Sequence, residues 1–272
     1  MSAAVLPAFA VGLFDDAAVF PPGSAPLAAA IEAHAGYREA WFAGAVGPLV
    51  LAESMLPDFG AARSALPVAV TLPGGPASLD AVLAADVELR AVEIAVPAGA
   101  DLDDLVPSID AALDGRDVQV AVELPRDGRR DAVLARLVGT SYRAKLRTGG
   151  VRAELYPDEA ELAETVHAVV VAGVALKATA GLHHAVRNTD PQTGFEQHGF
   201  LNLLRAVDAA LDGADPSALA GLLADRDGAG LAAWIGGWDA ERSERVRHAF
   251  TSFGTCSIHD PLADLAELGM TS

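Results

Sequence analysis

Cysteine is almost missing from this sequence: among 272 residues only Cys256 occurs. An intramolecular disulfide is therefore excluded, and a chain of this length does not need one, because it buries roughly three quarters of the surface its unfolded form exposes. Long hydrophobic runs are missing too. The longest stretch free of Asp, Glu, Lys and Arg runs from Ser64 to Leu79 and is broken by Pro67, Pro73, Gly74, Gly75 and Pro76, short of the roughly 18 residues a membrane span requires. The apolar opening, Met1 to Phe14, carries no basic residue and so lacks the first segment of a signal peptide. These absences read as a cytoplasmic protein with no membrane partner.

Positive charge is also scarce. Lys+Arg number 19 against Asp+Glu 37, a formal net charge of −18, which repels phosphate backbones, and no run of basic residues interrupts it. Nucleic acid is thereby excluded as a partner. Scarcest of all is lysine: seventeen of the basic residues are arginine and two, Lys145 and Lys177, are lysine. Where composition converts Lys to Arg whenever either serves, a surviving lysine marks a position where guanidinium does not substitute. An amine can lose its proton and form an imine; a guanidinium does neither. Chance survival is the alternative reading.

What is present is an alternation. After turn chemistry around Asp15, Asp16, Pro21, Pro22 and Gly23, a helix is expected over Pro26 to Phe42. Short apolar runs follow at Pro48 to Glu53, Pro67 to Leu72, Arg90 to Val96, Val118 to Leu124, Tyr142 to Arg147 and Val174 to Thr179. Between them lie residues at helical spacing, such as Leu102, Leu105, Ile109 and Leu113. Helices are expected at Gly199 to Leu211, Pro216 to Leu223 and Pro261 to Leu268, a weak strand between Leu219 and Trp234, and a last strand within Arg245 to Ser257. Repeated strand and helix imply a parallel sheet with right-handed crossovers. Eight strands fit an α/β fold, a (β/α)8 TIM barrel, which needs about 250 residues. The expectation is a single domain over 1–272, with 1–45 an N-terminal helical extension packed on the barrel. An open doubly wound sheet is the rival, and no G-x-G-x-x-G follows the first strand to support its nucleotide-binding form.

Strand parity then sorts side chains. Val92, Ile94 and Val96, Val118 to Leu124 in alternation, Tyr142, Ala144 and Leu146, and Val174, Leu176 and Ala178 form outward sets that meet helices. Glu93, Glu123, Lys145 and Lys177 fall on the inner face near strand C-terminal ends, with Glu53 closing the first run. In such barrels the C-terminal mouth is the active site, and unpaired charges buried there cost several kcal/mol each. A structural ion-pair network is the alternative. Strands ~4.8 Å apart bring the two amines together, so mutual repulsion and desolvation depress a lysine pKa, with Glu123 as general acid or base.

Leu176-Lys177-Ala178-Thr179-Ala180-Gly181-Leu182 resembles the sixth-strand motif of class I aldolases of the deoxyribose-phosphate aldolase type. The resemblance implies that Lys177 forms the imine, with Thr179 a neighbouring hydroxyl and a partner lysine on the seventh strand. In the strand count above, Lys145 lies on the fifth.

The loops supply candidate substrate contacts. Thr148-Gly149-Gly150 with Arg147 reads as an anion cradle or as a tight turn. His183 and His184 read as proton shuttles and Arg187 as the holder of an acidic group. Alternatively Glu93, Glu123, His183 and His198 hold a divalent metal such as Mg²⁺, or the loop is merely exposed. Gly254 and Ser257 are candidate anion contacts, Cys256 a small buried hydrophobe, and Asp15-Asp16 a turn or helix cap. Trp234-Ile235-Gly236-Gly237-Trp238 offers a homo-oligomer contact or a loop over the mouth.

The expected function is a lyase or aldolase acting on a small, anionic carbonyl compound through an imine on Lys177, tuned by Lys145, with no cofactor. The alternatives are a metal-assisted enolising enzyme, with Glu93 and Glu123 on Mg²⁺ and a lysine base, and a non-catalytic ligand-binding barrel.

Overall fold

The computed structural model describes residues 5–62 and 65–271. Met1 to Ala4 of the apolar opening, and Ser64 at the start of the longest uncharged run, lie outside the described residues. Eight parallel strands close into a barrel in the order β1-β10-β7-β6-β5-β4-β3-β2. In chain order these are β1 (Phe14–Asp16), β2 (Val46–Ala52), β3 (Pro67–Leu72), β4 (Glu88–Ile94), β5 (Gln119–Glu123), β6 (Arg143–Arg147), β7 (Leu176–Thr179) and β10 (Phe250–Thr255). A separate antiparallel pair, β8 (Asn188–Thr189) and β9 (Glu196–Gln197), lies in the excursion after β7. The fold is an α/β TIM barrel.

Helices clothe the outside because every second strand residue is apolar and points outward. Val92 and Ile94 on β4, Val120 and Val122 on β5, Ala144 and Leu146 on β6, and Leu176 and Ala178 on β7 are all buried. Phe14 of β1 and Phe253 of β10 meet Phe200 of α7 (Phe200–Leu211), with ring centroids 5.8 and 5.2 Å from it. Five helices begin on an aspartate whose side chain accepts a backbone N–H: Asp101, Asp158, Asp215, Asp227 and Asp239. Part of the acidic excess is thus spent on capping helix N-termini, where negative charge is stabilising.

Two expectations about the strands are corrected. Residues 219–234 contain no strand; they form α8 (Pro216–Ala224) and most of α9 (Gly228–Gly236). The buried pairs Leu219/Leu223 and Leu231/Ile235 have the four-residue spacing of a helix face. The missing strand is β1, which pairs with β10 and β2. Three residues show no period, so Asp15 and Asp16 read as a turn. The stretch taken as an N-terminal extension therefore holds the first strand and, after it, α1 (Leu27–Tyr37). Trp234 does not cover the mouth either: the guanidinium groups of Arg205 and Arg242 lie 5.1 and 5.6 Å from its ring centroid, and Trp238 packs on Phe9, which precedes β1. No helix among the described residues is long and apolar enough to cross a membrane.

Candidate functional site

The inner face carries one continuous ionic chain. Glu123 pairs in register with Lys145, and Lys145 with Lys177; register partners on parallel strands point to the same side of the sheet. The carboxylate of Glu93 sits between the two amines. Its Oε2 is 2.8 Å from Lys145 Nζ and its Oε1 is 2.5 Å from Lys177 Nζ. Lys145 also meets Glu123 Oε2 at 3.1 Å, and Arg147 Nε donates to Glu123 Oε1 at 3.0 Å. At the other end Lys177 donates to Asp15 Oδ2 at 2.7 Å, and Ser252 Oγ donates to the same oxygen at 2.7 Å. The order is Arg147, Glu123, Lys145, Glu93, Lys177, Asp15, so charges alternate in sign.

This arrangement reverses the expected electrostatics for Lys177. Burial works against its charge, but Asp15 and Glu93 outweigh burial and hold the ammonium well above the ordinary lysine range. The expected depression fails because a carboxylate, not the second amine, is the nearest neighbour. Burial pushes Glu93 upward, yet Lys145 and Lys177 together lower it from 4.5 to about 2. Glu123 is likewise held below its usual range by Lys145 and Arg147 against its burial.

Two cavities flank the chain. The mouth cavity, about 450 Å³, opens at the C-terminal ends of the strands and is lined by Glu93, Glu123, Lys145, Arg147, Thr179 and Gly254 among others. A second cavity of about 260 Å³ lies at the N-terminal ends and is lined by Asp15, Glu93, Arg143, Lys177 and Ser252 among others. Glu93 borders both. Lys145 faces the mouth and Lys177 the base, although their Cα atoms are register partners.

The other predicted residues divide cleanly. His183 lines the mouth, with Nδ1 3.4 Å from Cys256 Sγ, which lines it too. Burial lowers the imidazole and raises the thiol, so it favours the neutral form of each. That pairing was beyond sequence reasoning, since the two residues are far apart in the chain. Thr148 has no donor to spare for an anion: its N–H donates to Thr179 O at 2.9 Å and its hydroxyl to Ala180 O, and neither it nor Gly149 lines the mouth cavity. A Cβ on Gly149 would stand 2.8 Å from Gly181 Cα, so these glycines let the loops after β6 and β7 touch. Ser257 Oγ accepts from Asp260 N at the start of α11 (His259–Glu267) rather than facing the cavity.

Glu53 is corrected by parity. Pro48, Val50 and Ala52 face inward on β2, so Glu53 falls outside the barrel, where its carboxylate accepts from Ser78 Oγ. His184 binds Asp264 of α11 at 3.2 Å. Arg187 is buried behind the mouth, 2.6 Å from Glu159 Oε1, with His198 Nδ1 3.2 Å from its guanidinium. His198 Nε2 is used by the carbonyl of Pro157 at 2.8 Å.

The alternative metal set is consequently not assembled. His198 is remote from the cavity lining, and each oxygen of Glu93 and Glu123 already faces an ammonium or guanidinium group. Among the described residues no group of three or more His, Cys, Asp or Glu side chains is placed to hold a metal ion. The residue that sequence reasoning missed is Asp15, hidden in a strand too short to show alternation. No protein-family model matches the chain, and no curated protein matches it.

Proposed function

We propose that this barrel is a lyase of the class I aldolase type, acting on a small anionic carbonyl compound through an imine on Lys145. The observation that carries the reading is that Lys145 is the amine lining the mouth cavity, with a second lysine as its register partner on the next strand. The resemblance noted in the sequence implies an imine lysine on the sixth strand and a partner on the seventh. Once Phe14–Asp16 is counted first, Lys145 lies on the sixth barrel strand and Lys177 on the seventh. The motif around Lys177 itself lies on the seventh strand, so it is strand position, not the motif, by which the roles expected for the two lysines exchange.

The chemistry follows from the neighbours. Loss of a proton from Lys145 to solvent at the open mouth frees the amine to attack the carbonyl carbon. The carbonyl oxygen leaves as water, and the resulting iminium draws in the electron pair of the bond between the α- and β-carbons as it breaks, leaving an enamine. The departing fragment becomes an aldehyde when its β-hydroxyl proton passes to a base; protonation of the enamine at its α-carbon and hydrolysis of the resulting imine restore Lys145. Lys177 is a positioning residue that keeps Glu93 ionised beside the reacting amine. Arg147, about a third exposed at the mouth, offers its remaining N–H groups to an anionic substrate group.

A second reading is favoured by the seat of Lys145 between two carboxylates. There the lysine stays an ammonium that stabilises an enolate, and Glu123 removes the α-proton without a metal. One experiment separates the two: borohydride reduction in the presence of small keto acids and sugar-phosphate aldehydes. A mass adduct on the Lys145 peptide, absent in Lys145→Arg, is expected; no adduct with any of these compounds defeats the imine reading. Undiminished function in Lys145→Arg would leave only a ligand-binding barrel.

A further inference from the structure

The interior of a TIM barrel is normally filled by layers of packed side chains, and its N-terminal face serves stability. This barrel departs from that pattern, with a cavity of about 260 Å³ at its base. Its wall includes Lys177, which uses two hydrogen bonds on Asp15 and Glu93 and has a third N–H to give. It also includes Arg143, the first residue of β6, whose side chain makes one hydrogen bond among the described residues, from Nη1 to the side chain of Gln119 at 2.7 Å. Most of that guanidinium's donors therefore remain unused.

Among the described residues no carboxylate lies within ion-pairing distance of Arg143, nor of Arg247, a half-buried guanidinium close enough to feel both Arg143 and Asp15. In a chain with 37 acidic residues against 19 basic ones, a guanidinium without a carboxylate is not for want of acids. Along the ionic chain three cations, Arg147, Lys145 and Lys177, match three carboxylates, Glu123, Glu93 and Asp15, so Arg143 is positive charge beyond that balance. Burial pushes Arg247 down to about 10, with Asp15 opposing and Arg143 adding to the effect; an anion beside Arg143 would lessen that repulsion. Gly47 completes the wall: a Cβ there would stand 2.0 Å from Asp15 Oδ1, so the bare backbone seats the Asp15 carboxylate and keeps the floor open.

We propose that the base of the barrel is a second binding site, for a small oxyanion such as a carboxylate or phosphate, held by Arg143 and the free N–H of Lys177. A water occupies about 30 Å³ in the liquid, so the cavity has room for such an ion with part of its hydration. The site stands apart from the mouth and does not depend on the imine reading.

The test uses the full chain, inorganic phosphate against sodium chloride at matched ionic strength, and the thermal midpoint as readout. Phosphate at ten times its dissociation constant is expected to raise the midpoint by about 3 °C beyond the general salting effect. Arg143→Gln loses that rise, and Arg147→Gln, at the mouth, keeps it. No rise in the unaltered protein, a rise retained by Arg143→Gln, or one lost in Arg147→Gln overturns the proposal. Should Arg143→Gln fail to fold, Arg143→Lys identifies the Arg143 Nε–H resonance by its loss. In the unaltered protein that resonance moves on phosphate addition if the site exists and stays still if it does not. Neither readout involves substrate, so either result leaves the borohydride outcome to be decided separately.

Discussion

Lys145 and Lys177 are register partners on adjacent strands, yet their amines face opposite ends of the barrel and share one carboxylate, Glu93, an oxygen each. Equal backbone height has not produced equal access. The side chains diverge because Glu123 draws Lys145 toward the mouth and Asp15 draws Lys177 toward the base.

The first consequence concerns reactivity. Lys177 stays an ammonium through pH 9, so brief acylation with acetic anhydride at that pH is expected to leave it unmodified by mass spectrometry. Lys145→Arg is expected to abolish the borohydride adduct and to cut turnover about a thousandfold, within the range supplied by one acid–base or nucleophilic group. A borohydride adduct on Lys177 instead would show that the amine at the base is the reactive one.

Glu93→Gln leaves each buried ammonium with one carboxylate in place of two, Lys145 with Glu123 and Lys177 with Asp15. Removing one partner of a buried ion pair costs about 3–5 kcal/mol, and urea unfolding should register that loss. Adding Lys177→Met is expected to recover part of it. Equal stability of Glu93→Gln and the unaltered protein would mean that the shared carboxylate contributes nothing.

Acid should act through the same residue. Glu93 has a folded-state value of about 2 against an ordinary 4.5. The folded value is depressed, so its stabilisation is present in full above 4.5 and is lost as pH falls through 2. The difference corresponds to about 3 kcal/mol. The stability gap between the unaltered protein and Glu93→Gln is therefore expected to narrow between about pH 5 and pH 2; a constant gap across that range contradicts the assignment.

His184 behaves in the opposite sense. Its hydrogen bond to Asp264 raises it above 6.5, so the stabilisation from this tether is complete below 6.5 and fades as pH rises through the folded value. The group is nearly half exposed, which keeps the effect small. An NMR titration of Asp264→Asn is expected to return His184 toward 6.5; an unchanged midpoint would place the cause elsewhere.

Gly181→Ala probes the contact between the two lysine loops. Gly181 has φ +74°, and a Cβ there would stand 2.9 Å from Gly149 Cα. Left-handed backbone and steric overlap together are expected to cost about 1–3 kcal/mol and to weaken substrate capture at the mouth, measured as unfolding free energy and KM. Full stability in this variant would show that the loops have room to separate.

Much of the site was legible because the strands around it are long enough to show alternation. Val92 and Ile94 against Glu93, Val120 and Val122 against Glu123, and Ala144 and Leu146 against Lys145 fix which side faces in. Asp15 was not legible, because β1 offers a single inward residue. Its omission shifted the strand count by one, so Lys145 and Lys177 were counted on the fifth and sixth strands rather than the sixth and seventh. Glu53 was misplaced for a related reason: without the register of β2, the parity of its last residue was open.

From sequence alone came the alternation of strand and helix, the inward set of charges and the rarity of lysine, all properties of residue order along one chain. Tertiary structure decided which carboxylate each amine meets, which end of the barrel it faces, and that Cys256 lies against His183. Those depend on distances between strands remote in sequence, and electrostatic interaction is set by such distances and by burial, neither of which a linear pattern contains.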